Sequence, residues 1–327
     1  AAGTVVRVVE DKDADAAELA VTEVATSVYA FNHRLLRAAV TRLSTDNAQG
    51  EEYLPDVVAI LGADGHRIGA VVAPADQTAG CNDRVQLAAA HRTYNARLLE
   101  AHMRAGVSVV DPATTWIDAG VTLEPDVTIW PSVQLRGSTH IAEGAEIGPD
   151  TTLTDVTVGE RSMITRTVGV SARIGADVTV GPFAYLRPGT VLADEVHIGT
   201  YVELKNSDVG VGSKVPHLTY VGDATIGERS NIGASSVFVN YDGAAKHRSS
   251  VGDHVRVGSD TMLIAPVTIG DGAYTAAGSV IDQDVPSGAI AIARARQRNV
   301  TGWVERKRPG TPAADAAARA RVEGDGA

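Results

Sequence analysis

The stretch IGADVTVGPFAYLRPGTVLADEVHIGTYVEL, residues 174–204, places Ile174, Val180, Leu186, Leu192, Ile198 and Leu204 six residues apart. Val251, Val257, Leu263, Ile269, Thr275 and Ile281 form a second such run, and Ile141, Ile147, Leu153 and Ile226, Ile232, Phe238 form shorter ones. An amphipathic helix repeats every 3.6 residues and a half-buried strand every two, so neither produces this spacing. An apolar residue every six, often followed by Gly or Ala, is the signature of a hexapeptide repeat. Each six-residue side is then one short strand and turn of a parallel β-helix. Three sides predict eighteen residues per coil, and periodicity alone leaves the hand of the helix open.

Outside the repeat the chain changes character. Residues 1–82 alternate between elements: GTVVRVVE, SVYAF and HRIGAVVAP read as strands. NHRLLRAAVTRL reads as a helix capped by Asn32, and EEYLPDVVAIL as a helix kinked at Pro55. This is α/β material without a glycine-rich phosphate loop, read as the end of a domain whose beginning lies outside the chain. Residues 83–106 predict one long linker helix ending at Gly106. The repeat domain spans 107–295. The tail, 296–327, turns polar and Ala-rich from Arg308 and is expected to be disordered.

The net charge of −11 among 327 residues opposes binding to nucleic acid or an anionic membrane. A single cysteine, Cys81, excludes a disulfide framework or a Cys-based zinc site. No apolar run approaches a membrane span and residues 1–10 lack the design of a signal peptide, so a cytoplasmic location is expected.

Three places break the repeat. Arg187 and Lys205 lie one coil apart, hence ~5 Å on one face. Two like charges at that distance repel by about 3 kcal/mol at an effective dielectric of ~20, which points to an anion such as phosphate between them. Asn240–Ser250 is expected to loop out with a cationic tip of Lys246, His247 and Arg248. His217, with Glu203 expected near it on the neighbouring coil, suits a general base; a purely structural histidine is the competing reading. His197, His217, His247 and His254 allow a zinc reading, weakened because none is spaced at a full coil.

The strings FAYLRPGT, VELKNS, KVPHLTYVGDATIGERSNIGASSVFVNYDG, VGSDTMLIAPVTIGDGAYTAAGSV and GWVERKRPG resemble one family. It is the bacterial bifunctional N-acetylglucosamine-1-phosphate uridylyltransferase/glucosamine-1-phosphate N-acetyltransferases, and the tail looks most like actinobacterial, mycobacterial-type members. The resemblance implies a left-handed parallel β-helix assembled as a homotrimer with active sites between subunits. It implies acetyl transfer from acetyl-CoA to the amine of glucosamine 1-phosphate, with His217 as general base supported by Glu203. Arg187, Lys205, Tyr220, Asn231 and Lys246 then match the sugar-phosphate site. Ala234, Asn240, Tyr241, Ser259, Ala277, Arg294 and Trp303 match the acetyl-CoA groove.

In residues 1–82, Glu10 matches a UDP-sugar contact and Asn82 a magnesium ligand of the uridylyltransferase half. There the family's Asn-x-Gly segment reads Ala25-Thr26-Ser27. Uridylyl transfer, with magnesium, is therefore expected of the full-length parent and not of this chain. The competing classes are a zinc-dependent lyase resembling the gamma-class carbonic anhydrases, and a non-catalytic trimeric scaffold.

Overall fold

The computed structural model of the chain describes residues 4–324. Two compact units divide it, residues 1–97 and 98–327.

In the first unit, helix α1 (His33–Val40) starts where the Asn32 side chain accepts from the Arg34 and Leu35 amides. Helix α2 (Asp56–Ala63) begins after Pro55 rather than bending at it. Proline is suited to a helix start because its missing N–H is one that no preceding turn would satisfy. Ala39, Val57 and Leu61 form a small core with Phe31, Leu35, Leu36 and Ile68 around it. The three expected strands do not form. Among the described residues of this unit, one antiparallel bridge, Thr4 to Gly69, is the whole of the β structure. Val71 and Val72 are 95% and 82% exposed. Strand propensity is realised only against partner strands, and beyond that single bridge these segments are not paired into a sheet. After a short helix α3 (Ala75–Thr78), helix α4 (Arg84–Arg104) matches the expected arm and stops before Gly106, whose φ of 102° is unfavourable for a residue with a side chain.

The second unit is a three-sided parallel β-helix. Its strands, as described, fall into three parallel sheets of 11, 10 and 9 strands, and the chain visits the faces in fixed rotation. We call these the first, second and third face. The residues of the two long six-spaced runs are all buried, as are those of the shorter runs. Each is the inward member of a short strand, so the coils share one continuous apolar interior. Thr275, the polar member of the second run, is buried with its hydroxyl accepting from the Gly258 amide at 2.9 Å.

Coil length is less regular than eighteen. Leu186 pairs with Leu204 eighteen residues on, Leu204 with Val221 after seventeen, and Leu153 with Gly169 after sixteen. Ile226 pairs with Val251, twenty-five residues on, because the strands Val237–Val239 and Ser249–Val251 flank an inserted loop. Inward alternation fixes only the strand residues, so corners absorb the difference. The tail is not the irregular segment its composition suggests. Helices α5 (Trp303–Lys307) and α6 (Pro312–Gly324) form there, joined by an ion pair from Arg321 to Glu305 at 2.9 Å. Alanine, abundant in this segment, is the strongest helix former, and that propensity prevails over its lack of large apolar groups.

Candidate active site at one corner of the solenoid

On the second face Tyr185, Glu203 and Tyr220 lie in register on successive coils. Arg187 follows directly, its amide donating to the Leu204 carbonyl at 2.9 Å, and is thus stacked on Lys205 as expected. The repulsion between these cations is not left to a ligand alone. The Arg187 guanidinium donates to Glu203 at 2.7 Å, and Lys205 Nζ lies 3.4 Å from both Asp223 oxygens. The hydrogen bond to Glu203 holds the Arg187 guanidinium above its ordinary range.

Asp223 is the centre of this cluster and is not legible as such in the sequence. Its carboxylate is almost fully covered and accepts from Asn206 Nδ2 at 2.7 Å and Asn240 Nδ2 at 2.5 Å. Burial pushes its pKa up, but the bonds from Asn206, Asn240 and Lys205 outweigh this and hold it below the usual carboxylate value. Gly222 makes room for the cluster: a Cβ there would lie 2.3 Å from the Tyr220 hydroxyl and 2.6 Å from Asn240 Nδ2.

The loop that Asn240 begins carries the third cation. Lys246 forms an antiparallel bridge with Tyr241, and the His247 amide returns to the Asn240 carbonyl at 2.8 Å. Asp242 closes the tip, accepting from the Ala244 and Ala245 amides and from His247 Nε2, each at 2.7 Å. Lys246 is exposed and sits against Lys205. Hydrogen bonding to Lys205, then the charge of that group, holds the Lys246 ammonium below its ordinary value. Arg187, Lys205, Tyr220 and Lys246 therefore converge, and an oxyanion is the natural counter-charge for the group.

His217 ends the strand Lys214–His217 at the corner between the first and second faces, and it is exposed. The Ser235 amide donates to its carbonyl, the Asp260 amide to the Ala234 carbonyl, and the Gly278 amide to the Ser259 carbonyl. In a parallel ladder this pattern puts His217, Ala234, Ser259 and Ala277 in one column on four successive coils. Gly233 permits the tight stacking there, since a Cβ on it would meet the Ser259 amide nitrogen at 2.4 Å. Asn231 lies nearby on the first face, in register with Lys214. His197 shares that face; partial burial, then Lys214 and His217, keep the pKa of its imidazole below the ordinary value.

The remaining expected residues are placed less tightly. Among the described residues no hydrogen bond or ion pair joins Glu203 to His217; the Glu203 carboxylate is engaged by Arg187. Arg294 is exposed, just beyond Ala293, whose carbonyl accepts from the Val280 amide. Trp303 is half exposed in α5 with the Arg308 guanidinium 5.5 Å above its ring. In the first unit Glu10 and Asn82 are both exposed, and the Asn82 amide donates to Gln86 Oε1. Magnesium takes a near-octahedral set of oxygens with carboxylates among them. Among the described residues no three His, Cys, Asp or Glu side chains converge as a metal site. A cleft of about 450 Å³ between Thr225, Arg248, Ser250, Pro266 and Asp284 opens on the third face; Arg248, expected at the cationic tip of the loop, instead pairs with Asp208 and lines this cleft, and none of the residues matched to the sugar-phosphate or acetyl-CoA site does.

Residues 248–283 match the family described as bacterial transferase hexapeptide (six repeats). A curated relative from Streptomyces coelicolor, the bifunctional protein GlmU, is 56% identical over all 327 residues, which cover 68% of its length. The chain belongs to the GlmU family. The GlmU of Nocardia farcinica is 59% identical over 319 residues, 97% of this chain and 64% of the relative. The chain thus spans about two thirds of the length of the GlmU relatives it matches. Among solved structures, LpxA from Acinetobacter baumannii matches at 19% identity over 60% of this chain and 78% of its own, with a TM-score of 0.29, too loose to carry an argument. No helix among the described residues is long and apolar enough to cross a membrane.

Proposed function

We propose that the chain transfers the acetyl group of acetyl-CoA to the amine of α-D-glucosamine 1-phosphate. The observation that carries this reading is the corner column. It sets an exposed imidazole, His217, on the same vertical line as the small residues Ala234, Ser259 and Ala277 at one edge of the second face, whose other edge carries a cationic cluster suited to a phosphate. The phosphate is held by Arg187, Lys205, Tyr220 and Lys246, with Asn231 on the sugar. The pantetheine arm lies along Ala234, Ser259 and Ala277, with Asn240, Tyr241 and Arg294 at its sides.

His217 then accepts a proton from the neutral amine nitrogen as the lone pair of that nitrogen attacks the thioester carbonyl. The tetrahedral centre collapses with loss of the coenzyme as thiolate, which takes up a proton. The products are N-acetylglucosamine 1-phosphate and free CoA, with no acyl-enzyme. The reading includes a homotrimer with sites between subunits, as the family resemblance implies. The uridylyl-transfer activity belongs in this reading to the longer relatives. A cytoplasmic location follows from the co-substrate.

The test is thiol release from acetyl-CoA by the purified chain with and without glucosamine 1-phosphate, repeated with His217→Ala. Release that requires the sugar and collapses in the variant supports the proposal. Sugar-independent or absent release from folded protein overturns it.

A further inference from the structure

Asp223 does more than neutralise Lys205. Its amide donates to the Lys205 carbonyl at 2.9 Å, and its carboxylate reaches the Lys205 ammonium and the Asn206 amide on the preceding coil. The same carboxylate takes the Asn240 amide at the start of the inserted loop, while the Asp223 carbonyl accepts from the Ser249 amide at its end, 3.2 Å away. One residue thus holds both roots of the loop and the floor on which Lys205 stands. The tip of that loop presents Lys246 to Lys205, two ammonium groups that repel.

We infer that Asp223 is a positioning residue that locks the 240–248 loop onto the Lys205 coil, so that the phosphate-binding cations and the coenzyme-side groups Asn240 and Tyr241 are assembled before substrate arrives. The inference rests on the acetyl-transfer reading. Preorganisation of this kind lowers the ordering cost of binding. Asp223 touches no reacting atom, and its effect travels through Lys205 and Asn240. An Asn at this position keeps the shape but presents an amide N–H to donors that need an acceptor, and it leaves Lys205 and Lys246 without their shared counter-charge.

The sign of the effect separates this role from simple electrostatics. Removing a negative charge from a phosphate site tightens phosphate binding if charge alone matters, whereas loss of positioning weakens it. For Asp223→Asn the expected result is a KM for glucosamine 1-phosphate raised by about tenfold or more, the loss expected when a hydrogen bond to a charged group goes. The KM for acetyl-CoA rises with it, and kcat falls less than either kcat/KM. Hydrogen–deuterium exchange of the free protein should show amides 241–248 opening faster while the coil strands stay protected.

Unchanged or lowered KM for the sugar phosphate, or unchanged loop exchange, overturns the inference. If Asp223→Asn does not fold, Asn206→Ala removes one anchor of the carboxylate and should give the same two changes at smaller size; neither change appearing there is equally decisive. If the wild-type chain shows no sugar-dependent thiol release, the acetyl-transfer reading fails, and the exchange measurement still decides whether Asp223 holds the loop.

Discussion

His217 and Ala234 occupy the same position on neighbouring coils: the amide of Ser235, the residue after Ala234, donates to the His217 carbonyl at 3.1 Å. An imidazole that leaves the repeat and a methyl group that keeps it are thereby neighbours on one ridge. On the proposed acetyl-transfer reading, the Ala234 methyl leaves room for a thioester carbonyl to approach that imidazole. Replacing Ala234 with Leu should therefore raise the KM for acetyl-CoA strongly while leaving glucosamine 1-phosphate affinity, read by calorimetry, near its wild-type value.

Removal of the base should act on turnover. In His217→Ala, kcat for thiol release should fall by about 10²–10⁴, the usual contribution of a positioned general base. Calorimetric affinity for the sugar phosphate should stay within about twofold, because the phosphate cations are untouched.

The phosphate cluster predicts the opposite split. Lys246→Gln should raise the KM for glucosamine 1-phosphate by about ten- to a hundredfold, as expected for loss of a charge-assisted hydrogen bond. Because the cluster is partly solvent-exposed, this KM should also rise with ionic strength in the wild type, and rise less steeply in the variant.

The inward row governs stability rather than chemistry. Leu204 is fully buried between Leu186 and Val221. Leu204→Ala should cost about 2–5 kcal/mol in denaturant unfolding, through lost burial and the void it leaves. Tyr185→Ala, one rung down and outward-facing, should cost far less.

The loop tip should respond to acid. The Ala245 amide, His247 and the Ala244 amide hold Asp242 well below the usual carboxylate value. A group whose folded pKa is depressed contributes stability that is complete above its unfolded pKa, about 3.9, and is lost as pH falls through the folded one. Proteolytic nicking at 241–247 should therefore be slow at pH 7 and still slow near pH 5. It should quicken only in strongly acidic buffer, while Asp242→Ala should be nicked readily at pH 7.

The solenoid was legible because its signal is local and repeated: each inward residue from Ile174 to Leu204 states the period independently. The Arg187–Lys205 stack followed from the same arithmetic, since their coil is a full eighteen residues. The partners of those cations were harder to read. Glu203 meets Arg187 on a diagonal sixteen residues apart, and Asp223 becomes a hub only once two seventeen-residue coils and the inserted loop bring Asn206 and Asn240 to it. A shortened coil slips the apolar period by one residue, from Leu204 to Val209, which marks where the coil is cut but not which outward side chains then meet at the corners. The strand-like segments of residues 4–74 misled for a different reason: a valine run states a preference, and pairing decides whether it is met.

The twenty-five-residue coil has a consequence for how such a protein changes over generations. Ile226 and Val251 meet as neighbours although an entire functional loop has been spliced between them. A rung needs only the rung above and the rung below, so lengthening a corner leaves the prism's interior unchanged. The 240–248 segment is in that sense a cassette. Its length and charge can drift while the coils on either side keep their register; on the proposed reading, that separates the evolution of what is acylated from the evolution of what supplies the acyl group.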